Sequence, residues 1–394
     1  MKFMLHLNPV VPATPEERER LRPIAHRTEK IQQMLQEMVE LAKMAEQLGF
    51  EIVTYSEHHF YTEGMEAGAT PTPHLLNLLA KTERIKIGPL GFVLPTWDPI
   101  RLAEDVAWAD QMSQGRVIVG LARGVFPRWV NVLGQKYETR PGVLGPEAEL
   151  HNREVFEELF KVVKLAWADE PFSFKGKYYR VPNPAEGIEW LPRKATARYG
   201  AAGELDDKGW LRKISPVPKP FQKPHPLVFQ ALTTTEETIR WAAREGVIPV
   251  IFLPFPELAI KGARFYCEEA AKAGRAFELG HNIGLARLMY LGKSYQDAME
   301  SARNGSIFLF RNFHSKFYPQ IPETVEPLVE GGMVFAGTVD DIRRRLAEVQ
   351  QKLHPEYFLW VCDQGYLPLD EVKRQTELFG TKVMPEFMER TQPA

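Results

Sequence analysis

Glu57-His58-His59-Phe60 closes one short apolar run of this chain, and Arg123-Gly124 closes another about sixty residues later. An imidazole that titrates near neutrality can give or take a proton at physiological pH. A guanidinium offers the flat, two-pronged donor set that a phosphate accepts. His58 and His59 are neighbours at the end of an extended run, so their side chains point to opposite sides and one at most faces a common centre. For His59 the expected role is packing, with a hydrogen bond to backbone. Two adjacent histidines lack the i, i+4 face of His-Glu-x-x-His, and no metal site is expected.

Arg123 precedes Gly124, where the missing side chain lets backbone come close to a ligand. An arginine at a strand end is, by itself, an ordinary surface or ion-pair residue. A second element gives it weight: Thr233-Thr234-Thr235-Glu236-Glu237-Thr238 puts four hydroxyls into six residues where a strand turns into a helix. A helix start, with its free N–H groups and positive dipole end, seats phosphate. Plain capping accounts for Thr235 with Thr238, but not for all four hydroxyls. An anion site shared by Arg123 and the threonine turn is predicted. No Gly-x-Gly-x-x-Gly follows a strand and no Gly-x-x-x-x-Gly-Lys-Ser/Thr occurs, so the cofactor expected is a monophosphate. Leu90-Gly91 ends the run between the two clusters, where a flat ring could lie against backbone; the alternative is that Gly91 only relieves crowding.

These residues need a scaffold that brings strand ends together. Strand-like runs alternate with helical periodicity, the sign of a parallel sheet. Strands are expected at Phe3–Leu7, Glu51–Tyr55, Ile85–Gly88, Arg116–Leu121, Leu227–Gln230, Val247–Phe252, Ile283–Leu291 and Tyr357–Val361. Helices are expected around Ile31–Ala45, stopped by Gly49, from Pro99 to about Gly115, along Val155–Ala166, and from a cap at Gly337–Asp341 into Ile342–Leu353. Eight strands with helices between them predict a (β/α)8 TIM barrel, read as one domain over 1–394, whose chemistry sits at the C-terminal rim. A segment at 172–226, rich in Pro, Gly and charge, interrupts the rhythm after the fourth βα unit; it is read as an insertion, either a lid or a solvated excursion. Phe308, Phe310, Phe313, Phe317 and Tyr318 form a second lid candidate. Phe60, Phe92 and Trp97 are either pocket lining or core.

Composition bounds the partners. The 394 residues are 44% hydrophobic and 25% charged, with 49 basic against 51 acidic side chains. That balance gives no reason to expect nucleic acid. Cys267 and Cys362 are too few for a disulfide framework, and no apolar run approaches the roughly 20 residues that span a bilayer. Met1–Leu7 is too short for a signal core. No membrane association and a cytoplasmic location are expected.

The ordered series from Glu57-His58-His59-Phe60 through Val93-Leu94-Pro95-Thr96, Ala103-Glu104-Asp105-Val106, Asp110-Gln111-Met112-Ser113 and Gly115-Arg116 to Ala122-Arg123-Gly124 resembles the bacterial luciferase-like flavin monooxygenases, the alkanal monooxygenase-like family, over about residues 50–135. Weaker resemblance runs through Thr234–Gly246, with Trp241-Ala242-Ala243, and Gly337–Leu346. The resemblance implies a TIM barrel that binds reduced FMN supplied by a separate flavin reductase, as a homodimer. It implies oxygenation of a small organic substrate by O2 through a C4a-(hydro)peroxyflavin. By the same resemblance His58 is the catalytic histidine. Arg123 holds the FMN phosphate with Thr234, Thr235 and Thr238, and Leu90-Gly91 forms a non-prolyl cis peptide beneath the flavin ring. Ala122 departs from the reactive cysteine of luciferases, so a thiol is not expected to take part. Two alternatives stay open: an F420-dependent oxidoreductase on the same barrel, and a non-catalytic flavin-binding protein.

Overall fold

The computed structural model describes residues 1–305, 312 and 322–388. The chain divides into two compact units, Met1–Gly91 with Val228–Ala394, and Phe92–Leu227. The first unit opens with β1 (Lys2–Leu7), α1 (Thr28–Leu48), β2 (Ile52–Tyr55), α2 (Pro71–Lys81) and β3 (Lys86–Pro89). Gly49 ends α1 in the left-handed conformation at φ 89, as its sequence position predicts. The connection before α1 holds a six-residue helix, Pro15–Arg20, closed by a Thr14–Glu17 capping box.

The second unit contains β4 (Phe92–Val93), α3 (Pro99–Ser113), β5 (Val119–Ala122) and α4 (Pro146–Trp167). Asp98 caps α3, accepting from the amides of Ile100 at 3.0 Å and Arg101 at 3.3 Å, with Pro99 in the first turn where its missing N–H costs nothing. β4 and β5 pair in parallel, Phe92 with Leu121 and Val93 with Ala122. The segment at 172–226 carries two small antiparallel pairs, Phe174–Lys175 with Arg180–Val181 and Ile188–Glu189 with Trp210–Leu211. Its ends are tied. Phe172 and Ile214 exchange both backbone hydrogen bonds at 2.9 Å, and Gln222 donates from its amide and side chain to the buried Asp110 at 2.9 and 2.8 Å.

The chain then returns to the first unit as β6 (Val228–Thr233), α5 (Glu236–Glu245), β7 (Ile248–Ile251), α6 (Glu257–Lys272), β8 (Gly284–Leu291), α7 (Tyr295–Asn304), β9 (Val334–Gly337), α8 (Val339–Lys352), β10 (Tyr357–Cys362) and α9 (Leu369–Leu378). Among the described residues of this unit every strand pair is parallel, in the order β3-β2-β1-β10-β8-β7-β6, with β9 on β8. Parallel pairing puts the carboxyl ends of all these strands on one edge.

The two faces of that sheet differ in chemistry. On one, Phe3 and Trp360 place their rings 5.5 and 5.3 Å from Phe379, burying apolar surface under the C-terminal helical segment. On the other, His6 is in register with Thr54 and Thr54 with Gly88. His6 Nδ1 lies 2.8 Å from Thr54 Oγ1 and Nε2 3.2 Å from Asn8 Oδ1. Burial depresses its pKa to about 4, so the ring is neutral and serves as a polar brace.

β4 and β9 are not foreseen by the periodicity, and the fourth expected strand starts at Val119 rather than Arg116. Phe308, Phe310, Phe313, Phe317 and Tyr318 lie outside the described residues.

Candidate active site

Within the first unit, the carboxyl edge gathers the ends of β2, β3 and β6. The turn after β2 is held by left-handed backbone at three residues that carry side chains: Phe60 at φ 67, Glu66 at φ 49 and Thr70 at φ 52. Such conformations are uncommon outside glycine and persist where surrounding contacts impose them. The His58 amide donates to Gly68 O at 3.1 Å, Tyr61 meets its ring edge-on at 6.1 Å, and Nδ1 lies 3.7 Å from Glu66 Oε2. His59 has its own carboxylate, with Nε2 3.0 Å from Oε1 of the buried Glu57. The packing role expected for His59 is thus anchored by a side chain rather than by backbone. Glu66 is 5% exposed, and burial pushes its carboxyl up to about 8. Phe60 is exposed at its tip position, whereas Phe92 is fully buried against Trp97 and belongs to the core.

At the end of β3 the Leu90–Gly91 peptide is cis, and the Leu90 amide donates to Tyr55 O at 2.6 Å. At the end of β6, Thr235 caps α5: its Oγ1 accepts from the Thr238 amide at 3.4 Å and lies 2.9 Å from Thr238 Oγ1. Thr234 is exposed. Glu236 and Glu237 fill the first turn of α5, which already supplies negative charge to the helix start. Two of the four threonines therefore serve each other and the helix.

Thr233, first of the four threonines, is joined by two polar groups that come into view only in three dimensions, Ser56 and Gln230. Ser56 Oγ, Gln230 Oε1 and Thr233 Oγ1 are buried and have no hydrogen-bond partner among the described residues. Buried acceptors and hydroxyls are normally satisfied, and each exception calls for an explanation such as a ligand. The register of β6 against β7 shifts between Gln230 and Thr233, so simple alternation along the strand does not reveal them.

In the second unit, Arg123 follows β5 and forms an ion pair with Glu149 in the first turn of α4. Arg153, one turn further along α4, reaches the same carboxylate oxygen at 2.6 Å. Asn152 donates to Arg123 O at 3.1 Å, while its own Oδ1 is buried and unmatched among the described residues. Gly124 sits at φ 79, and an added Cβ would come within 2.8 Å of Val93 and Val130. Arg153 escapes sequence reasoning based on strand ends, and with Glu149 it lies ahead of the helix expected along Val155–Ala166; the observed α4 starts at Pro146 and puts the two one turn apart. Among the described residues no group of three His, Cys, Asp or Glu could hold a metal ion, and no helix is long and apolar enough to cross a membrane.

Residues 20–353 match the model of the luciferase-like monooxygenase family, and the chain belongs to that family. It is 22% identical over 380 residues to the oxygenase component of the flavin-dependent trigonelline monooxygenase of Acinetobacter baylyi, covering 91% of each chain. Among solved structures it is similar to the monooxygenase RslO1 of Streptomyces bottropensis, with a TM-score of 0.74, 22% identity and coverage of 98% of this chain and 100% of that one. It is also similar to the oxygenating constituent of 3,6-diketocamphane monooxygenase of Pseudomonas putida, in complex with FMN, at TM-score 0.71, 18% identity and 99% coverage of both chains. The F420-dependent tetrahydromethanopterin reductase of Methanopyrus kandleri shares the fold at TM-score 0.66 and 16% identity, over 98% of this chain and 99% of that one. The fold class is accordingly α/β and TIM-barrel-like, as expected from the strand and helix alternation.

Proposed function

We propose that this protein is the oxygenase of a two-component system that uses reduced FMN and O2 to oxygenate a small organic substrate. The observation that carries the reading is the convergence of Arg123 and Arg153 on the single carboxylate of Glu149. Two guanidiniums around one anion form the donor set a phosphate monoester needs, and Glu149 in the first turn of α4 stands where such an anion would go. The unmatched Ser56, Gln230 and Thr233 groups supply acceptors and hydroxyls suited to the polar edge of a flavin ring. The donor set therefore fits FMN.

In this reading Arg123 and Arg153 hold the phosphate, with Thr234, Thr235 and Thr238 as additional hydroxyl donors, and Leu90-Gly91 lies against the ring. Bound reduced FMN supplies the electrons with which O2 is activated. His58 gives a proton to, or takes one from, the reacting groups, and the apolar surroundings exclude water that would divert the reaction. A separate flavin reductase delivers the reduced cofactor, and the chain works as a homodimer.

Arg123→Ala should weaken FMN binding by about 10–100-fold, the equivalent of ~1.5–3 kcal/mol for a charge-assisted contact, while leaving riboflavin binding nearly unchanged. Equal losses for both ligands would refute the phosphate role. When photoreduced FMN and protein are mixed with oxygenated buffer, oxidised flavin should reappear more slowly than without protein. Turnover of reduced F420 under anaerobic conditions would replace this reading with hydride transfer, and retention of FMN without any turnover would replace it with simple flavin binding.

A further inference from the structure

The turn that carries His58 also carries a carboxyl that the proposed function leaves unused. Glu66 is fixed on both sides by backbone: Gly64 O accepts from the Val11 amide at 2.8 Å, and Ala67 N donates to Pro9 O at 2.5 Å. Two residues after Glu66, Gly68 O accepts from the His58 amide at 3.1 Å, so the carboxyl and the imidazole are carried by one closed turn. Oε2 lies 3.7 Å from His58 Nδ1, and both side chains are largely shielded from solvent. That separation is within ion-pair distance, and a side-chain shift of about 1 Å brings the two atoms to hydrogen-bond length.

The other ionisable groups around this pair come from three directions. Tyr61 presents its ring to His58 from the same turn. Tyr366, after β10, faces Glu66, and Arg18 and Asp363 flank Tyr366 in turn. Arg18 does not neutralise Glu66: its guanidinium donates to Val11 O at 2.7 Å and Glu63 O at 3.1 Å, and lies 5.9 Å over the Tyr366 ring. Among the described residues, His58 is the one basic group within ion-pair distance of Glu66.

We propose that Glu66 is a positioning residue for His58, dictating through its own protonation state which ring nitrogen carries the imidazole proton. While neutral, the Glu66 carboxyl, once closed to hydrogen-bond length, donates its O–H to Nδ1; the ring proton then resides on Nε2, which can donate to a ligand. When Glu66 loses that proton, the carboxylate accepts from Nδ1–H, the ring proton having moved there through solvent exchange. Nε2 is left with a lone pair and can accept. One proton leaves the pair in this change, and the ring stays neutral throughout. Burial supports a crossover in the physiological range, because it raises the Glu66 carboxyl to about 8. The alternative of a carboxylate beside an imidazolium would put two charges where water is largely excluded, a costly arrangement.

The inference rests on His58 being the proton-handling group of the proposed flavin site, yet the tautomer is a property of the chain without flavin. It is tested on 15N-histidine-labelled protein, by long-range ring 15N–1H correlations recorded across a pH series, with His58 identified by its absence from His58→Gln. At neutral pH the wild type should show the neutral Nε2–H form, passing to Nδ1–H near pH 8. Glu66→Gln has no proton to lose, so the neutral ring should keep one tautomer through the alkaline range and the crossover should vanish. An imidazolium or Nδ1–H form in the wild type at pH 7, or the same crossover in Glu66→Gln, would overturn the proposal. The wild-type titration decides the matter even if the variant does not fold. Failure of the wild type to bind FMN would count against the flavin reading alone, leaving the tautomer result intact.

Discussion

Glu66 also makes a prediction about stability that needs no ligand. Its carboxyl ordinarily titrates at 4.5, as it does in the unfolded chain, and at about 8 in the fold. Between these values the native state holds a proton that the unfolded state has lost. Native stability should therefore be greatest below pH 4.5 as far as this group is concerned, fall as pH rises through the window, and level off above pH 8. At about 1.4 kcal/mol per pH unit the full separation corresponds to ~5 kcal/mol. Ionisation in place draws water into the turn and lowers that cost, so about 2–4 kcal/mol is the expected loss. Glu66→Gln keeps the shape and removes the ionisation. Urea unfolding of both proteins, followed by tryptophan fluorescence over a pH series, isolates the effect, because every other titrating group is common to the pair. The variant should match the wild type in acid and exceed it increasingly up to pH 8, then hold a constant margin. Parallel pH profiles for the two proteins would refute the reasoning.

Two further outcomes follow from groups already described. His6 titrates at about 4 in the fold against an ordinary 6.5, so its contribution is intact above pH 6.5 and is lost as pH falls toward 4, by up to ~3 kcal/mol; His6→Gln should flatten this acid limb in thermal unfolding, and an unchanged limb would show that the ring charges without cost. Gly124→Ala combines a left-handed backbone with a Cβ forced against Val93 and Val130, which should cost about 2–4 kcal/mol. Calorimetry that finds the variant as stable as the wild type would show that this turn relaxes freely.

The long elements were legible because their residues repeat a physical demand. Ile31, Leu35, Met38, Ala42 and Ala45 recur at helical spacing within Thr28–Leu48, and Thr338 closes its capping box with Asp341 in the structure. Short elements carry too few residues to show a period, which is why Phe92–Val93 escaped. Val117 and Ile118 are buried like strand residues but precede the main ladder, so composition alone placed the fourth strand early. The candidate site divides along similar lines. Strand ends and helix caps are local, and they pointed to His58, Arg123 and Thr235. Glu66 reads as a solvated loop glutamate until the bonds from Val11 and Ala67 draw its turn inward. Glu149 and Arg153 meet at helical spacing, but the junction of Arg123 with them depends on how α4 returns past β5, which no spacing in the sequence encodes.

Paired backbone bonds join Phe172 to Ile214, and the amides of Lys177, Tyr178 and Tyr179 dock on Glu158 of α4 at 2.9, 2.7 and 2.8 Å, so freedom to change belongs to the residues that follow, 183–213. That stretch leaves from the docked hairpin and returns to the bridge at Ile214, so the rest of the unit feels its two ends more than its length. Each doubling of such a loop adds only about 0.6 kcal/mol of closure entropy. Material could be gained or lost within 183–213 in evolution, or exchanged in the laboratory, while the bonds of Lys177, Tyr178 and Tyr179 to Glu158 of α4 and of Tyr179 Oη to Asp98 at the start of α3 are kept. That stretch is a replaceable cassette mounted on a fixed clasp.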